Sequence, residues 1–236
     1  MTDLLPDAVL RYAEHEDGVL DVHLPAAPNG TTVLLVHGGF WKTAYDRKHT
    51  RPMARALSDA GFVVLTPEYR RVGPGGSGGW PSTGADVRLA LDRAPELLGT
   101  LGVSTGPLRA IGHSAGGHLV LWLASTDAPL QRVVALAPVC DLREAIRRGL
   151  GSDAARAFLG EIDPDEADPM VLLTEHGATD VVVVHGVEDD VVPVDLARNL
   201  AARHPWIDLR EVPGGHFEVI EPDSSVWPAV LAALAD

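Results

Sequence analysis

Two short runs in which every residue is apolar constrain the fold of this chain most strongly. They are residues 33–36 and 181–184, and each lies between polar residues. Side chains of a strand point alternately to the two sides of a sheet, so a fully apolar strand must be covered on both faces. Parallel sheets, which carry helices on both faces, provide that environment. The two runs therefore predict strands in the interior of a parallel sheet.

Strand-like and helix-like segments alternate along the rest of the chain. The predicted strands are 31–37, 61–66, 107–112, 132–137, 180–185 and 206–212, and the predicted helices lie near 47–60, 83–98, 115–125, 194–203 and 225–235. Before them, segments 9–14 and 19–24 flank Asp17-Gly18, a favoured hairpin turn. This order predicts one α/β domain over residues 1–236, with a mostly parallel central sheet, helices on both faces and an N-terminal antiparallel hairpin.

A Gly-His-Ser-Ala-Gly segment at residues 112–116 joins a strand-like run at 108–111 to a helical pattern. Strand, sharp turn and helix in this order are the setting in which a serine is lifted out on a strained turn. The flanking glycines are needed because the backbone passes close to other chains there. Such a turn exposes the Ser114 hydroxyl and leaves the next N–H free. The alternative is a chance glycine-rich turn without a chemical role.

Three more loops follow predicted strands and carry polar groups. They are residues 37–41 (His-Gly-Gly-Phe-Trp), 185–193 (His-Gly-Val-Glu-Asp-Asp-Val-Val-Pro) and 213–217 (Pro-Gly-Gly-His-Phe). The carboxyl ends of parallel strands meet at one edge of a sheet, where ligands bind in folds of this kind. The sequence therefore predicts that all four loops contribute to one site.

A nucleophile, an acid and a histidine occur in a fixed order along these loops. Ser114 comes first, an aspartate at position 189 or 190 follows, and His216 comes last. A serine hydroxyl needs a base to take its proton, and the base needs a carboxylate that fixes its tautomer and stabilises its cation. His185 precedes the acid and fits the order less well. Spacing alone does not separate the neighbouring Asp189 and Asp190.

The 37–41 loop together with residues 112–119 (Gly-His-Ser-Ala-Gly-Gly-His-Leu) resembles a known group of enzymes. The combination is similar to kynurenine formamidases (arylformamidases) and related small carboxylesterases, which are serine esterases of the α/β-hydrolase superfamily. The pattern H-G-x-x-D-x-x-V-P at 185–193 matches this family and selects Asp189 as the acid. The resemblance runs from about residue 33 to residue 216. It implies the α/β-hydrolase fold and a catalytic triad of Ser114, Asp189 and His216.

The resemblance also implies how charge would be stabilised during the reaction. The oxyanion hole would consist of the backbone N–H groups of Ala115 and of Gly39 or Phe40. A small cap is implied at 141–178, with short helical pieces near 142–148 and 153–158. The alternative for that segment is a connector packed on the surface.

Four residues in or beside the motif loops are predicted to bind the substrate. They are Trp41, Trp80, Cys140 and Phe217. Aromatic side chains here suit a small molecule with a ring, although the same residues are equally compatible with a role in the core. We therefore expect hydrolysis of small carboxylic esters or aryl formamides, such as N-formylkynurenine, through an acyl-enzyme.

Two other functions are compatible with the same motifs. A serine peptidase related to prolyl oligopeptidases would share the fold and the order of the triad, although this chain has no room for a propeller domain. A hydrolase-fold binding protein with an inactive site is the non-enzymatic alternative. Hydrolysis of a prolyl-aryl amide would identify the peptidase. A serine that does not react would identify the binding protein.

The net charge and the cysteine content limit which partners and which cellular compartment are expected. The net charge of −14 over 236 residues disfavours nucleic acid and anionic membranes as partners. The single cysteine excludes an internal disulfide, and the N-terminal segment is acidic where a signal peptide is basic. We expect a cytoplasmic protein that needs no cofactor or metal and acts on a small molecule. A homodimer is the one oligomeric assembly that the sequence leaves as a possibility.

Overall fold

An eight-stranded sheet forms the centre of the computed structural model, which describes residues 4–175 and 179–235. The strands are β1 (Ala8–Arg11), β2 (Val19–His23), β3 (Thr32–Val36), β4 (Val63–Pro67), β5 (Leu108–His113), β6 (Arg132–Leu136), β7 (Asp180–Gly186) and β8 (Asp208–Val212). Their order across the sheet is β1-β2-β4-β3-β5-β6-β7-β8. The pairs β1–β2 and β2–β4 are antiparallel, and the later pairs are parallel. The predicted hairpin and mostly parallel sheet are confirmed.

Helices connect the strands and cover the sheet. They are α1 (Arg51–Asp59), α2 (Ser82–Asp92), α3 (Ala94–Thr100), α4 (Ala115–Ala124), α5 (Leu142–Arg148), α6 (Leu150–Leu159), α7 (Pro169–Leu172), α8 (Asp195–Arg203) and α9 (Trp227–Ala235). The helix predicted at 83–98 is divided into α2 and α3. Pro95 explains the break, because proline has no N–H to donate and its ring clashes with the preceding turn.

The apolar strand β3 has a hydrophobic core on each of its faces. Val33 and Leu35 belong to a cluster with residues of α1 and α9, whereas Leu34 and Val36 belong to a second cluster with residues of α2 and α4. The strand is buried throughout its length. The inference from the apolar runs is therefore confirmed: alternate side chains of one strand enter two different cores.

Between β6 and β7, the helices α5, α6 and α7 form the segment that the sequence marked as a cap. Its last three positions, 176–178, lie outside the described residues. Phe158 and Leu159 are buried rather than exposed to solvent. The Asp168 carboxylate accepts hydrogen bonds from the N–H groups of Leu142 (2.9 Å) and Met170 (3.0 Å), so it fixes the starts of α5 and α7. A role for the segment as a moving lid stays a prediction.

His118 attaches this segment to helix α4. Its Nε2 donates to the carbonyl of Ala167 at 2.9 Å, and its ring meets those of Trp41, Trp80 and Phe158 edge-on. Burial lowers the pKa of His118 from 6.5 to about 4. The folded protein therefore keeps His118 neutral at pH values where the unfolded chain binds a proton.

This shift predicts a specific dependence of stability on pH. Because the unfolded state binds the extra proton, the contribution of His118 is fully present above pH 6.5 and is lost as the pH falls towards about 4. Relative to a His118→Gln variant, which keeps a donor but does not titrate, the wild type should lose about 1.4 kcal/mol of unfolding free energy per pH unit in this range. Urea unfolding of both proteins at several pH values measures the difference. A difference that stays constant with pH would contradict the prediction.

None of the helices in residues 4–175 and 179–235 combines the length and the apolar character that crossing a membrane requires.

Candidate active site

Ser114 lies on the tight turn between β5 and α4. Its backbone is strained, with φ 56° and ψ −115°, a conformation that L-residues rarely adopt. A Cβ atom at Gly112 would lie 2.2 Å from the carbonyl oxygen of Gly116, and one at Gly116 would lie 2.1 Å from that of Val36. Both positions of the Gly-x-Ser-x-Gly motif are therefore restricted to glycine by close backbone contacts, and this packing sustains the strained serine.

Asp189 and His216 form a buried pair at the carboxyl end of β7. His216 Nδ1 donates to Asp189 Oδ2 at 2.7 Å. The other carboxylate oxygen accepts from the N–H groups of Val191 (2.9 Å) and Val192 (2.8 Å). Asp189 is 7% exposed, so the hydrogen bonds that it receives are protected from water. The structure thus brings together two residues that lie 27 positions apart in the chain.

A second histidine supports the same carboxylate. His185 Nε2 donates to the carbonyl of Val192 at 2.8 Å and also lies 3.2 Å from Asp189 Oδ2. Burial raises the pKa of Asp189, but the hydrogen bonds from His185 and His216, together with backbone N–H groups, outweigh it and hold the pKa well below its usual range. The carboxylate therefore stays ionised at any pH at which the protein would work.

The 37–41 loop lies directly against Ser114. A Cβ atom at Gly38 would come within 3.1 Å of the Ser114 Cβ atom. The next three residues, Gly39, Phe40 and Trp41, all have a left-handed backbone, with φ of 106°, 51° and 57°. Two non-glycine residues in this region cost about 1–3 kcal/mol each, which the surrounding structure must offset.

Buried polar contacts behind the loop hold it in this shape. His37 Nε2 donates to Glu68 Oε1 at 2.8 Å, and the Tyr69 hydroxyl donates to the carbonyl of His37 at 2.9 Å. In the part of the chain that the structure describes, the N–H groups of Gly39, Phe40 and Ala115 donate to no protein acceptor. These three N–H groups therefore remain unpaired on the two loops that meet at Ser114.

Ser114 and His216 line the same pocket, which has a volume of about 410 Å³. The other residues around it are Gly39, Phe40, Tyr45, His49, His113, Val191 and Phe217. Sequence reasoning missed Tyr45, His49, His113 and Val191. His113 and Val191 stand inside the motifs at their variable positions, so their place in the sequence was a usable signal. Tyr45 and His49 precede α1 and carry no such signal.

Three of the four residues predicted to bind substrate do not line this pocket. Trp41 is 1% exposed and stacks on Phe158 with ring centroids 4.4 Å apart. Trp80 packs edge-on against Trp122 at 5.0 Å. Cys140 is in the core, where burial raises the pKa of its thiol. These side chains pack in or against the hydrophobic core, and a part for them in substrate binding stays a prediction.

Phe217 is the predicted residue that does reach the pocket. Its ring is 54% exposed at the opening, and it meets the His216 ring edge-on at 5.1 Å. Tyr45, also exposed, lines the same opening. Two aromatic side chains are thus available at the pocket mouth.

A comparison with protein families connects this geometry to known proteins. The model of the BD-FAE family matches residues 20–203, which is most of the chain. The chain belongs to the BD-FAE family.

Similar solved structures extend the comparison to the whole fold. A thermophilic esterase from the planctomycete Thermogutta terrifontis is 21% identical with a TM-score of 0.78, over 98% of this chain and 90% of that chain. A truncated carbohydrate esterase from gut microbiota is 18% identical with a TM-score of 0.76, over 91% of each chain. Esterase B from Lactobacillus rhamnosis, solved with a tributyrin phosphonate inhibitor, is 20% identical with a TM-score of 0.74, over 97% of this chain and 84% of that chain.

These similarities show that the BD-FAE chain has the α/β-hydrolase fold, as the motifs predicted. No curated protein matches the chain. The closer likeness to kynurenine formamidases stays a prediction.

Proposed function

We propose that this protein is a serine hydrolase that cleaves small carboxylic esters through an acyl-enzyme. The observation that carries the proposal is the convergence at one pocket of a strained serine, a buried Asp–His pair and unpaired backbone N–H groups. Each of these features is costly in isolation, either in backbone strain or in buried charge. Their coincidence is typical of sites in which strain and pKa shifts serve catalysis.

The geometry supports a role for each group in acyl transfer. The Nδ1–H group of His216 donates a hydrogen bond to the ionised Asp189, which leaves Nε2 to take the proton of Ser114 as the hydroxyl attacks the ester carbonyl. Asp189 stabilises the resulting imidazolium. The negative charge on the carbonyl oxygen is received by the N–H groups of Ala115 and of Gly39 or Phe40.

Two half-reactions complete the turnover. The bond between the carbonyl carbon and the alcohol oxygen breaks, and His216 returns its proton to the departing alkoxide, so an alcohol leaves and Ser114 is acylated. A water molecule then attacks the acyl carbon while His216 removes its proton. The carboxylic acid leaves, and the serine hydroxyl is restored.

The pocket favours a small substrate with an apolar part. Its volume is about 410 Å³, and Phe40, Val191 and Phe217 provide apolar walls. The Thermogutta terrifontis esterase has also been solved with butyrate bound and phosphonylated by sarin, which supports short acyl groups and a reactive serine as the starting point for this chain. An aryl formamide would present an even smaller acyl group to the same donors, and the motif resemblance supports it as the second candidate.

A panel of substrates tests the proposal. We expect hydrolysis of p-nitrophenyl acetate and butyrate, with kcat/KM at least about tenfold lower for the decanoate if the site prefers short acyl groups, as proposed. N-formylkynurenine and a prolyl-aryl amide complete the panel. Faster cleavage of the formamide than of every ester would place the enzyme among formamidases. Cleavage of the prolyl amide alone would favour the peptidase, and no turnover at all would favour a binding protein.

A further inference from the structure

His113, the variable residue in the Gly-x-Ser-x-Gly motif, contacts the backbone of the proposed general base. Its Nε2 lies 2.9 Å from the carbonyl oxygen of His216, a residue 103 positions away in the chain. The two imidazole rings are 4.6 Å apart and tilted by 49°. His113 is 3% exposed, so this hydrogen bond is made away from bulk water. The strand that carries the nucleophile is thereby joined to the loop that carries the base.

The hydrogen bond fixes the chemical form of His113. A carbonyl oxygen only accepts hydrogen bonds, so Nε2 carries the proton. Burial and the neighbouring charge on His216 lower the pKa of His113 from 6.5 to about 3. The ring is therefore a neutral donor at neutral pH. A neutral neighbour does not oppose the imidazolium that forms on His216 during acyl transfer.

The titratable groups around His113 come from three parts of the structure. His216 and Asp189 face it from the loops after β8 and β7, and His49 faces it from the 3-10 helix before α1. Beyond His216, Glu218 Oε2 accepts the N–H of Gly215 at 2.9 Å on the same loop. Among the groups named here, His113 is the one that holds the main chain of His216 itself.

The loop that carries His216 needs such a contact. His216 follows Gly214 and Gly215, and Gly214 has a φ of 99° that glycine adopts without strain. Two adjacent glycines leave the main chain with more freedom than other residues would. The bond to Asp189 fixes the ring at Nδ1, and Glu188 N–H donates to the carbonyl of Gly214 at 3.0 Å, but neither contact holds the main chain of His216 itself. A second point of attachment on the Ser114 side removes that freedom.

We infer that His113 is a positioning residue that holds the His216 main chain against the nucleophile turn and so sets the distance between the His216 imidazole and the Ser114 hydroxyl. The inference rests on the proposed function, because it assigns His113 a part in the same acyl transfer. Misplacement of reacting groups by about 1 Å costs about 10²-fold in rate. Loss of the hydrogen bond should therefore reduce kcat and leave substrate binding nearly unchanged.

Three substitutions separate the hydrogen bond from the volume of the side chain. His113→Gln places an amide N–H near the position of Nε2, His113→Met has a similar length without a donor, and His113→Asn has a donor that is too short to reach. With p-nitrophenyl butyrate, we expect kcat to fall about 10- to 100-fold in the Met and Asn variants with KM within about threefold of wild type. The Gln variant should recover kcat to within about fivefold.

The thermal midpoints of the Gln and Met variants, measured in parallel, show whether a fold defect accounts for any loss. Equal kcat in the Gln and Met variants, or a loss carried by KM alone, would overturn the inference. Failure of the wild type to hydrolyse any ester of the panel would instead be a failure of the proposed function. The two failures are distinct, because the comparison among variants is made against an active wild type.

A second measurement does not depend on turnover. In ¹⁵N-histidine NMR spectra of the wild type, the His113 signals, assigned by their absence in His113→Gln, should report a neutral ring protonated at Nε2 from pH 8 down to pH 5. A ring that titrates within that range, or one protonated at Nδ1, would show that His113 does not donate a hydrogen bond to the His216 carbonyl. Either result would overturn the inference even in an enzyme that is fully active.

Discussion

Replacing Ser114 with alanine is expected to reduce ester hydrolysis by about 10⁵- to 10⁶-fold. The hydroxyl is the only group in the proposed mechanism that forms a bond to the substrate, so nothing in the pocket replaces it, and the residual rate comes from the oxyanion donors alone. The fold should remain intact, because alanine is smaller than serine and the glycines around the turn are unchanged. The measurement is kcat/KM on p-nitrophenyl butyrate, with circular dichroism as the check on folding.

A fluorophosphonate probe gives an independent measure of the same group. Such probes form a covalent bond with an activated serine, so the wild type should be labelled and Ser114→Ala should not. Ser77, an exposed residue of the separate glycine-rich segment at 73–79, offers a matched control, since Ser77→Ala should be labelled like the wild type. Labelling of Ser114→Ala at the wild-type rate would place the nucleophile elsewhere.

Asp189→Asn is expected to lower kcat/KM by about 10⁴-fold. The wild-type carboxylate accepts two N–H groups on Oδ1 and the His216 Nδ1–H on Oδ2. An asparagine has one oxygen, so its NH₂ group must face either His216 or the backbone donors of Val191 and Val192. In the first case the imidazole loses the tautomer that the mechanism needs, and in the second the loop that carries the residue is disturbed.

Asp190→Asn is the matched control for that variant. Asp190 is adjacent in sequence but exposed, and the loss of its charge should change kcat/KM by no more than about threefold. Similar losses in the two variants, or a larger loss in Asp190→Asn, would remove Asp189 from the mechanism. Steady-state kinetics on the same nitrophenyl ester decide between these outcomes.

Much of the fold was readable from local patterns. The apolar runs at 33–36 and 181–184 predicted interior strands, and β3 and β7 are buried as expected. Glycine spacing around Ser114 predicted the strand–turn–helix, because only a residue without a side chain fits where two main chains come within about van der Waals distance. The break between α2 and α3 was not predicted, although Pro95 indicates it in the sequence.

The residues of the site were harder to predict from the sequence where their position depends on packing. Asp189 and Asp190 are indistinguishable by spacing, yet one is buried beside His216 and the other faces solvent. The aromatic residues near the motifs were predicted to line the pocket, but Trp41 stacks on Phe158 and Trp80 packs against Trp122. Apolar character predicts burial and does not say which of two neighbouring cavities a ring will fill.

The sequence by itself determined the architecture and the loops that carry the candidate site. Both follow from short-range rules: the period of apolar side chains fixes strands and helices, and glycines fix where the backbone turns sharply. Tertiary structure alone decided which groups meet. The hydrogen bond from His113 to His216 joins strand β5 to a loop 103 residues later. Such a contact depends on the register and twist of the whole sheet, and these are set by the sum of many weak packing contacts that no local pattern records.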